Sequence, residues 1–140
     1  MQARPYITFK GECREAMELY TRAFNTQVYD VSLFEDVPQT ADGSLEILAP
    51  QSQWILQATI KFGDSYIRLN DCLCELNDAP SERVAIAVEC SEDEVKHAFA
   101  VLSEQGKVGI PLKQTFYSRC AGVVIDKFGV MWNLWAPAEE

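Results

Sequence analysis

Five polar side chains interrupt two apolar, β-rich stretches of this chain. Gln57, Thr59, Arg68 and Asn70 fall within residues 54–70, and Asn133 stands among Trp132, Leu134 and Trp135. A polar residue in such a strand faces either a cavity or water. Arg68 has the most directed chemistry of the set, because a guanidinium holds a carboxylate or phosphate through two parallel hydrogen bonds. Lys61 and Tyr66 follow the same alternation, and Phe9, Tyr117 and the tryptophans are expected to supply apolar walls. The mixture suits a small organic ligand with rings and with hydrogen-bonding or anionic groups. The bland reading of each residue is a solvent-facing or internally satisfied position on a sheet.

Other chemistries find little support. The one histidine, His97, lies beside Lys96 on a helical pattern and reads as a surface residue, with no Ser or Cys placed for it to activate. The five cysteines, Cys13, Cys72, Cys74, Cys90 and Cys120, match no zinc or disulfide spacing, and reduced thiols are expected. A formal net charge of -9 is wrong for neutralising nucleic-acid phosphates. No apolar run reaches the length of a membrane span, and no apolar signal region follows Met1. A cytoplasmic protein of one domain is expected, since 140 residues suffice for one ordinary core and not for two.

The elements that must position these residues are readable from periodicity. Residues 5–10 form a short strand, broken by Gly11. Cys13, Ala16, Met17, Tyr20, Ala23 and Phe24 then recur at helical spacing and make one apolar stripe. Residues 27–34 read as a strand and 35–53 as a long loop, whose Leu45, Ile47 and Leu48 are suited to close over a pocket or a partner. Residues 54–62 and 65–70 flank Gly63-Asp64 as a hairpin, with Trp54, Leu56, Ala58, Ile60 and Phe62 on one face and Gln57, Thr59 and Lys61 on the other. Residues 71–82 read as a linker. After a strand at 83–89, Ser91 to Glu94 has the form of a capping box. Val95, Ala98, Phe99 and Leu102 make the next stripe, stopped at Gly106. Residues 107–117 are extended, with Gly109 and Pro111 marking a bulge or an edge. A closing hairpin turns at Asp126-Lys-Phe-Gly129.

These elements repeat. Strand Ile7/Phe9 with helix Ala16/Leu19/Tyr20/Ala23 matches strand Ile86/Val88 with helix Val95/Ala98/Phe99/Leu102 at one offset, and each pair precedes three extended segments. The order is βαβββ-βαβββ, with modules at about 4–71 and 82–137. Neither half has enough partners to bury both its helix and a sheet face alone.

Three motifs carry a resemblance: Pro5-Tyr-x-x-Phe-x-Gly-x-Cys-x-Glu-Ala16, Gln114-Thr-Phe-Tyr117, and Gly122-Val-Val-x-Asp-x-Phe-Gly-Val-x-Trp132. Over nearly its whole length the chain resembles PhnB-like proteins of the glyoxalase / bleomycin-resistance / extradiol-dioxygenase group, the vicinal oxygen chelate superfamily. The resemblance implies an α+β fold. Two βαβββ modules form cup-shaped mixed sheets with helices outside, commonly in a homodimer. Some relatives are labelled ubiquinone methyltransferases, but no Gly-rich cofactor loop follows a strand here.

In metal-dependent members, four strands supply His, Gln and Glu ligands to a divalent ion. Carried over by motif, those places fall at Pro5 or Tyr6, Arg68, Arg83 or Val84, and Asn133. Many PhnB-like sequences also carry a His at the place of Gln57. This set contains no His-plus-carboxylate pair, so no metal and no cofactor are expected. The leading expectation is a metal-free small-molecule binding protein that uses Arg68, Asn133, Gln57, Thr59, Asn70, Phe9 and Tyr117. One alternative is a glyoxalase- or dioxygenase-type metal enzyme drawing carboxylates from Glu35, Asp36 or Glu46. Another is a structural or regulatory dimer whose cup is filled by its own side chains.

Overall fold

The computed structural model describes residues 1–36, 51–73 and 83–138. Leu45, Glu46, Ile47 and Leu48, together with Cys74, lie outside the described residues. The chain divides into two compact units. One is Met1–Thr21 with Thr26–Leu76, and the other is Arg22–Asn25 with Asn77–Glu140.

The first unit holds β1 (Tyr6–Phe9), β2 (Val28–Leu33), β3 (Ile55–Phe62), β4 (Ser65–Asp71) and most of α1 (Cys13–Phe24). Its four strands lie in the order β1-β4-β3-β2, with β1 parallel to β4 and the other pairs antiparallel. The stripe read from the sequence is the buried side of α1: Cys13, Ala16, Tyr20 and Ala23 are 0–2% exposed. Asp71 fastens this layer. Its buried carboxylate accepts from the N–H of Cys13 at the start of α1 (3.0 Å) and from the N–H of Ile55 at the start of β3 (2.9 Å). The first is a donor with no partner inside the helix, so the side chain replaces a cap. Asp71 is therefore the last residue of β4 and a structural pin, where a linker is expected from the sequence.

The second unit repeats the plan with β5 (Ile86–Glu89), α2 (Glu92–Leu102), β6 (Lys107–Lys113), β7 (Ser118–Ile125) and β8 (Met131–Pro137). The strand order is β5-β8-β7-β6, with β5 parallel to β8. The capping box is present: the Ser91 hydroxyl accepts from the N–H of Glu94, and the Glu94 carboxylate from the N–H of Ser91. α2 ends earlier than the sequence implies, at Leu102, with Ser103 as its C-cap. Gly106 comes three residues after that cap, where a Cβ would meet the carbonyl oxygens of Ile125 at 2.6 Å and Leu102 at 2.8 Å. Close backbone approach, not helix termination, is what requires glycine there. The ring of Phe24, from the last turn of α1, lies 5.0 Å from that of Trp132.

The turn between β7 and β8 is organised by Asp126, which is 3% exposed. Its Oδ1 accepts from the N–H groups of Phe128 (2.9 Å) and Val130 (3.1 Å), and its Oδ2 accepts from the indole N–H of Trp132 (2.9 Å). Gly129 closes the turn at φ +87°, the left-handed region where a Cβ is strained. Register shifts in β6 fall between Val108 and Ile110 and between Ile110 and Lys113, which agrees with the bulge read at Gly109 and Pro111. Among the described residues, no helix is long and apolar enough to cross a membrane.

Candidate functional site

Among the described residues, each sheet has one face packed under a helix and one that is not. In the second unit, α2 lies against β7 and β8. A Cβ at Gly122 would come within 2.9 Å of the Phe99 ring, so Gly122 faces the helix, as do Trp132, Leu134 and Ala136 by strand alternation. The opposite face carries Ala87, Asn133, Val123 and Ile110 in one cross-strand row. The next row is Glu89, Trp135, Ala121 and Lys113.

Over these rows lies an open depression of about 520 Å³. Asn133 and Val123 form part of its floor, and Lys113, Gln114, Phe116 and Tyr117 part of its wall. Asn133 is exposed although apolar side chains stand on both sides of it along the strand. Tyr117 packs edge-on to Trp135 (6.5 Å) and to Phe116 (5.2 Å), and Phe116 is 97% exposed. Phe116 therefore presents an open ring at the rim of the hollow. Asn133 and Tyr117 are thus brought together. Gln114, Lys113 and Phe116 join them, although the sequence reading used Gln114 and Phe116 only as part of a motif. Their signal was available: a run of residues 113–117 with no apolar alternation between two strands.

In the first unit, Asp71 identifies the helix-covered face, since its carboxylate holds the start of α1. Phe9 is the register partner of Asp71 and is 5% exposed, so it belongs to that covered face. It is a core residue and not a wall of the site, which corrects the expectation. The reason is parity along β1: Tyr6 and Thr8 share the open face, and Ile7 and Phe9 the closed one.

Arg68, Thr59 and Asn70 do share the open face. Tyr6, Arg68, Thr59 and Tyr29 form one row across all four strands, and Thr8 pairs with Asn70 in the next. Gln57 pairs with Ser32 on β2 and precedes Thr59 by two residues along β3. The guanidinium of Arg4 lies 3.9 Å from the Tyr66 ring centre, that of Arg68 lies 5.7 Å away, and the Lys61 ammonium is 4.6 Å from the Tyr29 ring. Arg4, as a hydrogen-bond donor and as a charge, holds the Tyr66 phenol below its ordinary pKa, and Arg68 adds to this. Thr59 is 5% exposed, where the sequence places it on a wet face.

The residues at the places implied for metal ligands do not fit a divalent cation. Arg68 presents a guanidinium with no lone pair to give, and Val84 has no donor at all. Glu35 accepts from the Gln53 amide (2.6 Å), and Asp36 accepts from the N–H of Leu33 (2.9 Å), so both carboxylates have local partners. Among the described residues, no group of three or more His, Cys, Asp or Glu side chains comes together to hold a metal ion. His97 is exposed and bonds to the Arg22 carbonyl at 2.9 Å, a surface contact. Burial pushes the Cys13 thiol up to about 12, with the Asp71 charge adding, and that of Cys90 to about 11. These are not nucleophiles at neutral pH. Cys72 is disulfide-bonded, which corrects the expectation of five reduced thiols, while Cys13, Cys90 and Cys120 are free.

Two four-stranded mixed sheets, each from a βαβββ run with the same strand order, define a protein of the glyoxalase / vicinal oxygen chelate superfamily. Within it, the chain belongs to the family described as 3-demethylubiquinone-9 3-methyltransferase, whose profile matches residues 2–135. It is 27% identical over 138 residues to Protein YjdN of Escherichia coli K12, covering 96% of this chain and 94% of that one. The structure of protein PA1353 from Pseudomonas aeruginosa superimposes with a TM-score of 0.81 at 26% identity, over 99% of each chain. A structure described as a putative 3-demethylubiquinone-9 3-methyltransferase, PhnB protein, from Bacillus cereus gives 0.77 at 22% identity, over 97% of this chain and 99% of that one. The last shares the fold.

Proposed function

We propose that this protein is a metal-free small-molecule binding protein, holding an organic ligand on the helix-free faces of its sheets. The observation that carries this reading is the hollow of about 520 Å³ over β7 and β8. Its volume lies within the range of about 300–1,000 Å³ that small-molecule sites occupy. Its lining has the composition such sites need: apolar Ile110 and Val123, aromatic Phe116 and Tyr117, and a few polar groups in Asn133, Gln114 and Lys113. The chemistry of Arg68 and Val84 at the places implied for ligands supports the metal-free part, as does the lack of a cluster of His, Cys, Asp or Glu among the described residues. A homodimer belongs to the same proposal, supported by the exposed Val108 and Ile110 on the edge strand β6, and a cytoplasmic location is proposed with it.

A thermal-shift screen of small aromatic and polar compounds, followed by calorimetry on the hits, tests the reading. Hits whose affinity falls about tenfold or more in Asn133→Ala and Tyr117→Ala support it. Stoichiometric binding of nickel or zinc that switches on turnover of a hit compound would overturn it.

A further inference from the structure

We infer that the helix-free face of the first sheet is an anion subsite, built for a small aromatic acid that carries a hydroxyl or amine beside its acidic group. The inference rests on the ligand-binding reading above and adds the ligand's class from separate residues.

Two independent observations point to it. The first is charge. In a chain of formal net charge -9, Arg4, Lys61 and Arg68 collect on one sheet face. Among the described residues, none of the three forms an ion pair with a carboxylate. Their neighbours are the rings of Tyr66 and Tyr29. A cation–ring contact at an exposed site is weak, and although Arg4 also donates to the Gln2 side-chain oxygen (2.6 Å) and both arginines act on the Tyr66 phenol, neither partner supplies the negative charge that an incoming anion would.

The second is a pair of buried polar atoms without partners: Thr59 Oγ1 and Asn70 Oδ1. Thr59 is the register partner of Arg68, and Asn70 follows Arg68 by two residues on β4, so both flank the guanidinium on its own face. Buried polar groups in native proteins are almost always paired, and one that is not calls for an explanation such as a missing ligand.

The two orphans have different needs. The threonine hydroxyl can donate to an anion. The asparagine oxygen only accepts, so the ligand must bring a donor of its own. Arg68 holds the acidic group in its fork, with Arg4 and Lys61 adding charge, and the tyrosine rings suit an aromatic body.

Mandelate has all three features; phenylacetate lacks the hydroxyl and 1-phenylethane-1,2-diol lacks the charge. Calorimetry and backbone-amide NMR shifts on the full chain compare the three. Mandelate is expected to bind with shifts at Thr59, Arg68 and Asn70. The other two should bind about tenfold more weakly or worse. Arg68→Gln should lose about tenfold in mandelate affinity, whereas Lys107→Gln, an exposed charge on β6, should change nothing. Asn70→Leu should abolish the preference for mandelate over phenylacetate. Thr59→Val should weaken mandelate while raising the melting temperature by about 3 °C, because it deletes a buried hydroxyl that the free protein leaves unpaired. A merely structural threonine would not separate those two readouts. If mandelate shifts only residues around Asn133, or binds Arg68→Gln and Thr59→Val as well as the parent, the anion subsite is refuted and ligand binding stands. If neither these probes nor the wider screen binds either face, both readings fall.

Discussion

Replacing Asp126 by asparagine changes one atom of the carboxylate, and its cost can be worked out bond by bond. The parent carboxylate accepts from two backbone N–H groups through Oδ1 and from the Trp132 indole through Oδ2. Asparagine keeps one oxygen, which can serve the Phe128 and Val130 N–H groups. Its Nδ2 then faces the indole N–H, a donor against a donor. Trp132 is 0% exposed, so no water replaces the lost acceptor. A hydrogen bond to a charged group contributes about 1.5–3 kcal/mol, and an orphaned buried donor costs about 1–3 kcal/mol. These overlap, and a net loss of about 3 kcal/mol is expected. For a chain of this length that is a fall of about 10 °C in melting temperature.

Urea and thermal unfolding followed by tryptophan fluorescence and far-UV circular dichroism measure it. Repeating the change in a Trp132→Phe background isolates the indole, since phenylalanine has no donor to leave unpaired. There Asp126→Asn should cost about 1 kcal/mol, a coupling of about 2 kcal/mol between the two residues. Equal costs in the two backgrounds, or a loss under about 1 kcal/mol in the parent, would refute the view that this carboxylate holds the turn through the indole.

Three further outcomes are expected. Asp71→Ala leaves the N–H groups of Cys13 and Ile55 without acceptors and should lower stability by about 3 kcal/mol, measured by urea unfolding, with hydrogen exchange faster at the start of α1. Cys13 should resist a thiol reagent at pH 8 in the folded protein and react on unfolding. Its thiol is raised in the native state, so its contribution is full below about pH 9 and is lost as pH rises towards about 12, where the unfolded chain ionises first; a melting temperature flat across pH 9–11 would contradict this. Gly106→Ala should cost about 1–3 kcal/mol by thermal unfolding, because the carbonyl oxygens it meets are backbone and cannot swing aside.

What the chain order alone determined is the element sequence and its duplication. Helical stripes, the Ser91 capping box and the Asp126–Gly129 turn are local signals. Each arises within a few residues, so periodicity and turn chemistry suffice to read them. The residues of the open faces were partly legible for the same reason. Arg68, Thr59, Asn70 and Asn133 follow the two-residue alternation of their strands, and the structure places each on a helix-free face.

Only the tertiary structure decided which side of β1 the helix covers, and so that Phe9 is core. It also decided that Asp71 is a buried pin and that Thr59 is buried without a hydrogen-bond partner. These depend on groups brought together across the sequence: Asp71 meets Cys13 across 58 residues, and Thr59 lies in a row drawn from four strands. A strand's alternation says that two faces exist. Which face is covered, and whether a polar atom on it finds a partner, is set by neighbours distant in the chain, and no local pattern encodes them.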